Sequence, residues 1–125
     1  MANLPEEVRE AWEKREGPVV FGTANVAGVP NIVYVTCVGT FGEDKLVVAD
    51  NYFSKTRDNV MAGCRGSMLF ITKEGKSYQV KGSLEYQKEG EVFDAMKKWN
   101  PKEHPGNAAV VLQVEEVFSG AEKLA

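Results

Sequence analysis

The sequence predicts a mainly β, α+β fold: six antiparallel strands forming a closed or nearly closed barrel, with short helices at its flanks. Three observations carry this expectation. Short runs rich in Val, Ile, Thr, Tyr and Phe recur along the chain, and these residue types fit a pleated, half-buried surface. The runs are joined by tight Gly- and Asp-containing turns, which favour antiparallel neighbours because a parallel return needs a crossover of about a dozen residues. Helical spacing of apolar residues is confined to the start, the middle and the approach to the last strand. Closing this many short strands hides edges that would otherwise pair with other chains.

With 125 residues, the chain has the length of one domain with one core, so residues 1–125 are read as a single unit. Its 43% hydrophobic and 26% charged residues are the balance of an ordinary globular protein. The net charge of −3 argues against a general nucleic-acid surface, which needs Lys and Arg clustered over a face. No apolar run approaches the ~20 residues that span a bilayer. The N-terminal Met-Ala-Asn-Leu-Pro-Glu-Glu is acidic where a signal peptide is basic and then apolar. The expectation is therefore a cytoplasmic protein without a membrane partner. Two cysteines without CxxC spacing and a single histidine argue against a structural zinc site, and no metal is expected. Cys37 and Cys64 are read as buried free thiols.

Asn3 is placed to cap a first helix with Pro5 at an early position, where its missing amide costs nothing. Leu4, Val8, Ala11 and Trp12 share one face, and Gly17-Pro18 ends the helix, which is expected to lie across the sheet through Trp12. Residues 19–26 read as a strand turning at Ala27-Gly28, with residues 30–38 as its partner. The partner lacks polar alternation over residues 32–38, so both its faces need cover. In a domain this small, a flat ligand or a second subunit is the natural cover for one of them. Gly42-Glu43-Asp44 makes the next turn, and residues 45–49 return as a strand. A short helix over residues 54–62 follows, then a turn bracketed by Gly63 and Gly66 and a strand over residues 67–72. Lys73-Glu74-Gly75-Lys76 reads as a hairpin loop. Residues 77–86 alternate clearly, with Tyr78, Val80, Gly82, Leu84 and Tyr86 on one face. Gly82 in mid-strand predicts a bulge, a bend or a close backbone approach. Val92, Phe93, Met96 and Trp99 stripe a helix over residues 90–100 that Pro101 stops. His104 follows in a loop and is read as solvated. Residues 107–118 supply the last strand.

The stretch most suggestive of function runs from Val47 to Val60, where a buried strand breaks at Asp50-Asn51 and order resumes as a helix capped by Ser54. Lys55 and Arg57 occupy the first turn, where the helix dipole makes each cation unfavourable by roughly 0.3–1 kcal/mol. A bound anion reverses that sign. Free amides, the hydroxyls of Ser54 and Thr56 and two cations suit a terminal phosphate. The competing reading is a solvated basic turn in which Ser54 only caps. Between residues 54 and 66, Lys55, Arg57 and Arg65 outweigh Asp58, so a small anion fits better than a polyanion.

Four segments occur in a recognisable order: Gly28-Val29-Pro30-Asn31 opening a strand, Val47-Val48-Ala49-Asp50 closing the next, Ser54-Lys55-Thr56-Arg57-Asp58-Asn59-Val60, and Tyr78-Gln79-Val80-Lys81-Gly82. With them the chain, from about residue 17 to 117, resembles the FMN-binding split β-barrel family, which includes pyridoxamine 5′-phosphate oxidase and small FMN-binding proteins. The resemblance implies a six-stranded antiparallel split β-barrel that binds FMN. It implies that Ser54, Lys55 and Thr56 hold the FMN phosphate. Val33, Tyr34, Val35 and Thr36 would run along the isoalloxazine and ribityl chain, with Val48, Ala49, Asp50 and Asn51 opposite. Asn59 is expected to brace the helix, and Arg57 to face either the phosphate or solvent. A homodimer with flavin at the subunit boundary is also implied.

The chain departs from the vitamin B6 oxidases in its tail. Gln113-Val114-Glu115-Glu116-Val117-Phe118 has neither the Arg nor the His with which those enzymes grip the substrate phosphate, so pyridoxamine phosphate oxidation is not expected. Haem-degrading relatives need an axial ligand, and His104 is the only histidine. Two functions from different classes follow. One is an FMN-dependent oxidoreductase, in which the flavin supplies the chemistry. The other is a non-enzymatic FMN-binding or electron-transfer module working with an electron donor or acceptor.

Overall fold

The computed structural model describes residues 2–125. The elements are α1 (Glu6–Glu13), β1 (Val19–Ala24), β2 (Pro30–Val35), β3 (Val38–Phe41), β4 (Lys45–Asp50), α2 (Lys55–Met61), β5 (Arg65–Ile71), β6 (Ser77–Gln87), α3 (Glu91–Trp99), β7 (Ala108–Ser119) and β8 (Glu122–Lys123). The strands form one antiparallel sheet in the order β2-β1-β5-β6-β7-β4-β3, with β8 added on β7. The sheet curls into the expected split barrel. Its two outer strands, β2 and β3, are consecutive in sequence, so the chain crosses the barrel's open seam in the two residues between them, Thr36 and Cys37.

This seam accounts for the main difference from the sequence expectation. Residues 30–38 do not form one strand. β2 pairs with β1, Val35 opposite Val19, whereas β3 pairs with β4, Val38 opposite Val48. The same run thus serves opposite edges of the sheet, and the strand count rises from six to eight once the two-residue β8 is included.

The barrel interior is filled by Phe21, Leu46, Met68, Val80, Val110 and Leu112. α1 packs against it through Val8 and Trp12, whose ring meets Phe70 edge-on with centroids 5.1 Å apart. Asn3 does not cap α1. Pro5 holds the N-cap position, and the chain before it is tied instead by the Leu4 amide donating to the Glu43 carbonyl at 2.7 Å. A second cluster joins Val47, Ala49, Ala109 and Val111 to Val92 and Met96 of α3. β4 is therefore buried on both faces, by the barrel core inside and α3 outside. β2 has no such outer layer, and Ile32 and Tyr34 stand 69% and 77% exposed on its outward face. Cys37 and Cys64 are free and only half-buried, contrary to the expectation of buried thiols. No helix is long and apolar enough to cross a membrane among the described residues.

Gly82 interrupts β6 as its position suggested. The β6–β7 register shifts between Lys81 and Gly82, and a Cβ at Gly82 would lie 1.8 Å from the Gln113 carbonyl oxygen. Its neighbour across β5, Gly66, faces only the flexible end of Leu84, at 2.6 Å. Gly82→Ala must push backbone apart, whereas Gly66→Ala displaces a side chain. Urea unfolding should show Gly82→Ala costing at the upper end of, or beyond, the ~1–3 kcal/mol typical of overpacking, with Gly66→Ala clearly milder; equal midpoints would contradict the close-approach account.

Candidate functional site

The strand-to-helix connection after β4 is organised by one buried carboxylate. Asp50 is 0% exposed, and a buried charge is tolerated only when paired and hydrogen-bonded. Arg57 of α2 donates to it from Nε at 2.7 Å and from a terminal guanidinium nitrogen at 3.2 Å. The Phe53 amide donates at 3.0 Å, and the Tyr86 hydroxyl of β6 donates to the same carboxylate. Burial on its own would raise the Asp50 carboxyl. The hydrogen bonds from Arg57, Tyr86 and the Phe53 amide, together with the Arg57 charge, outweigh it and hold the group below its ordinary value. Burial and the adjoining carboxylate push the Tyr86 phenol up. Arg57 therefore folds its guanidinium back on the chain through Nε and one terminal nitrogen, while its side chain stays 38% exposed.

Asn51 makes the second tie. Its side-chain amide exchanges two hydrogen bonds with that of Asn100, at 3.1 and 2.9 Å, and its oxygen also accepts from the Gly106 amide at 2.9 Å. The Asn107 amide donates to the Asp50 carbonyl at 2.9 Å. Residues 100–107 are thus clamped along residues 50–52.

Between β2 and these ties, at the seam, lies an open groove of about 290 Å³ lined by Val33, Tyr34, Val35, Thr36, Cys37, Val48, Ala49, Asn51, Tyr52 and Phe53. Of the residues expected along a flavin, Val33, Tyr34, Val35, Thr36, Val48, Ala49 and Asn51 meet there. Asp50 does not line it, being the anchor behind its wall. Ser54, Lys55 and Thr56 do not line it; they follow its wall residue Phe53 in the chain. Lys55 borders a separate depression of about 420 Å³ with Asn25, Val29, Pro30, Asn31, Asp58 and Asn59. Thr56 is buried, and its hydroxyl accepts from the Asn31 side-chain amide at 3.0 Å, bracing α2 on β2. Asn59 braces α2 on β1 in the same way, donating to the Thr23 hydroxyl at 2.9 Å. Ser54 holds the N-cap position but makes no side-chain capping bond, so its exposed hydroxyl is free.

Tyr52 and Phe53, absent from the expected flavin contacts, also line the groove, as does Cys37, which the sequence reads as a buried thiol. Their only sequence signal is adjacency: they extend the two chosen runs by one or two residues. The groove is lined by no Lys, Arg, Asp or Glu. Every buried side-chain polar atom among the described residues already has a partner. Polar contacts to a ligand must therefore come from backbone groups and from exposed side chains such as Ser54, Lys55 and Tyr52.

These features define a split β-barrel with a ligand-sized groove at its seam. The chain belongs to the pyridoxamine 5′-phosphate oxidase family, whose sequence model matches residues 4–119. It is 30% identical over 117 residues to an uncharacterized protein of Methanocaldococcus jannaschii, covering 88% of this chain and 78% of that one. Among solved structures it is similar to HupZ of Group A Streptococcus, with a TM-score of 0.84, 22% identity and 98% of each chain covered. It is also similar to an FMN-binding protein from Syntrophomonas wolfei subsp. wolfei, with a TM-score of 0.75, 21% identity, and 89% of this chain and 86% of that one covered. At these identities the two structures bear on the fold.

The Asp50 anchor makes two predictions. Tyr86→Phe removes a hydrogen bond to a buried carboxylate and should cost about 1.5–3 kcal/mol in urea unfolding. Because the folded-state Asp50 value is depressed from 3.8, its contribution is complete above that pH and is lost as pH falls through the lowered value. Asp50→Asn should therefore lower stability at neutral pH and flatten the acid limb of the stability profile; a parallel acid limb in the variant would contradict the assignment.

Proposed function

We propose that this protein is an FMN-binding flavoprotein and acts as an FMN-dependent oxidoreductase. The observation that carries the reading is the uncharged, largely apolar groove at the barrel seam, in a chain of this family, with an exposed hydroxyl and cation on the two residues that follow its wall residue Phe53. A planar ring system suits apolar walls with a few polar groups at the edge. The donor set fits the other end of FMN: Lys55 and Ser54 are exposed and uncommitted, as a dianionic phosphate requires. α2 is only seven residues long, so the side chains, more than the helix dipole, are assigned the phosphate. When bound, FMN supplies the redox chemistry; the residues of the chain hold its ring at the seam and shield one side of it from water.

The groove's size supports a second subunit as part of the site. About 290 Å³ is at the small end for a ligand of this size, and one side is open. The outward face of β2 continues from the groove's edge, where Ile32 and Tyr34 stand exposed and the depression beside Val20 is apolar. A homodimer that covers this face completes the groove and removes the apolar patch from water.

The phosphate assignment predicts that the protein binds FMN at least tenfold more tightly than riboflavin, since each charge-assisted hydrogen bond contributes about 1.5–3 kcal/mol. Lys55→Ala should weaken FMN and leave riboflavin nearly unchanged in a flavin fluorescence titration. Thr56→Val should weaken both, because Thr56 acts through Asn31. Equal wild-type affinities for the two flavins would remove the assignment. Light scattering should give the mass of a homodimer, burying more than ~1,000 Å² in total; a monomer that retains flavin would refute the shared site.

A further inference from the structure

At the mouth of the groove an exposed aromatic is held in place by the chain's single histidine. Tyr52 lines the groove and is 71% exposed, yet its hydroxyl is 3.1 Å from His104 Nδ1, and the two rings meet edge-on with centroids 5.5 Å apart. A solvated tyrosine does not need such a partner. The loop that carries His104 is fixed on both sides. Asn51 binds Asn100 and the Gly106 amide, Lys97 Nζ donates to the Pro105 carbonyl at 3.0 Å, and the His104 amide donates to the Pro101 carbonyl at 3.0 Å. Fixed supports around a surface-exposed side chain are the arrangement expected where orientation matters.

We infer that His104 is a positioning residue for Tyr52, and that the pair selects an uncharged planar carbonyl compound as the reactant that meets the bound flavin at the groove's open side. The inference rests on the flavin reading and names the substrate class for that site. With Nδ1 engaged by the phenol, either direction of the hydrogen bond leaves the pair one outward donor and one outward acceptor. Tyr52 donating to Nδ1 leaves Nε2–H to donate and the phenol oxygen to accept; the reverse leaves the phenol O–H to donate and Nε2 to accept. Beside apolar walls such a pair suits a neutral carbonyl group. No Lys or Arg lines the groove, and Lys55 is assigned to the FMN phosphate, so an anionic substrate finds no uncommitted cation there. A phosphorylated pyridoxamine is therefore a poor fit by charge as well as by the tail sequence.

Because His104 is the only histidine, its ring nitrogens give an unambiguous NMR signal. In the FMN-loaded protein, titration with duroquinone, a neutral planar carbonyl probe, should shift that signal, whereas pyridoxamine 5′-phosphate should not. Measured on protein already loaded with FMN, Tyr52→Phe and His104→Ala should weaken duroquinone binding about threefold to tenfold, the worth of one hydrogen bond. His104→Asn, which can still bond the phenol, should recover most of the loss. Retained FMN with an unmoved His104 signal, an equal response to pyridoxamine 5′-phosphate, or no rescue by Asn would overturn the inference alone. A wild-type protein that takes up no FMN would overturn the flavin reading and this inference with it.

Discussion

The structure depends on burying one charge. Asp50 ends β4 with no solvent exposure, and an isolated carboxylate there would be prohibitive. Its needs dictate the following seven residues. The Phe53 amide turns the chain, Arg57 must lie where its guanidinium can reach back, and α2 begins where that reach allows. Tyr86 adds a bond from β6, so the connection is fastened to the barrel wall as well as to itself. The outcome is a rigid segment, 51–53, standing beside the seam as one wall of the groove.

The opposite wall exists because β2 and β3 diverge. A chain that continued straight through Thr36 and Cys37 would either close the barrel or extend one edge. Instead Val35 stays with β1 and Val38 goes to β4, leaving a gap with β2 on one side and β4 with residues 51–53 on the other. The Cys37 carbonyl accepts from the Ala49 amide at 2.9 Å, which pins the crossing to β4 and sets the gap's width. The groove draws on both faces of the sheet: Val35 and Val48 belong to the barrel core, Ala49 to the cluster under α3 and Tyr34 to the exposed face of β2.

Much of this architecture was legible in the sequence. The alternation of residues 77–86, the stripe Val92, Phe93, Met96 and Trp99, and the glycine at 82 each report local geometry directly, and each predicted element is present. The break at Thr36-Cys37 was not legible because no Gly or Pro marks it, and a continuous apolar run looks the same whether one sheet edge or two receive it. In the site, the strand residues came from the family resemblance, carried over position by position. The partners of Asp50 and Asn51 did not, because an ion pair across a strand-to-helix turn, or an amide pair 49 residues apart, obeys no periodicity. Sequence leaves Arg57 facing either phosphate or solvent, and its pairing with Asp50 is what no periodicity reports. Ser54 was placed correctly at the N-cap, but the freedom of its hydroxyl depends on backbone angles that sequence does not report.

The central claim is that the uncovered seam is a flavin site. Its most direct test is to incubate the purified protein with excess FMN, remove free ligand by gel filtration, and measure bound flavin per chain from visible absorbance after denaturation. The account predicts one FMN per chain, released unaltered as FMN. Protein that emerges without flavin, or with flavin far below one per chain regardless of FMN concentration, would contradict it.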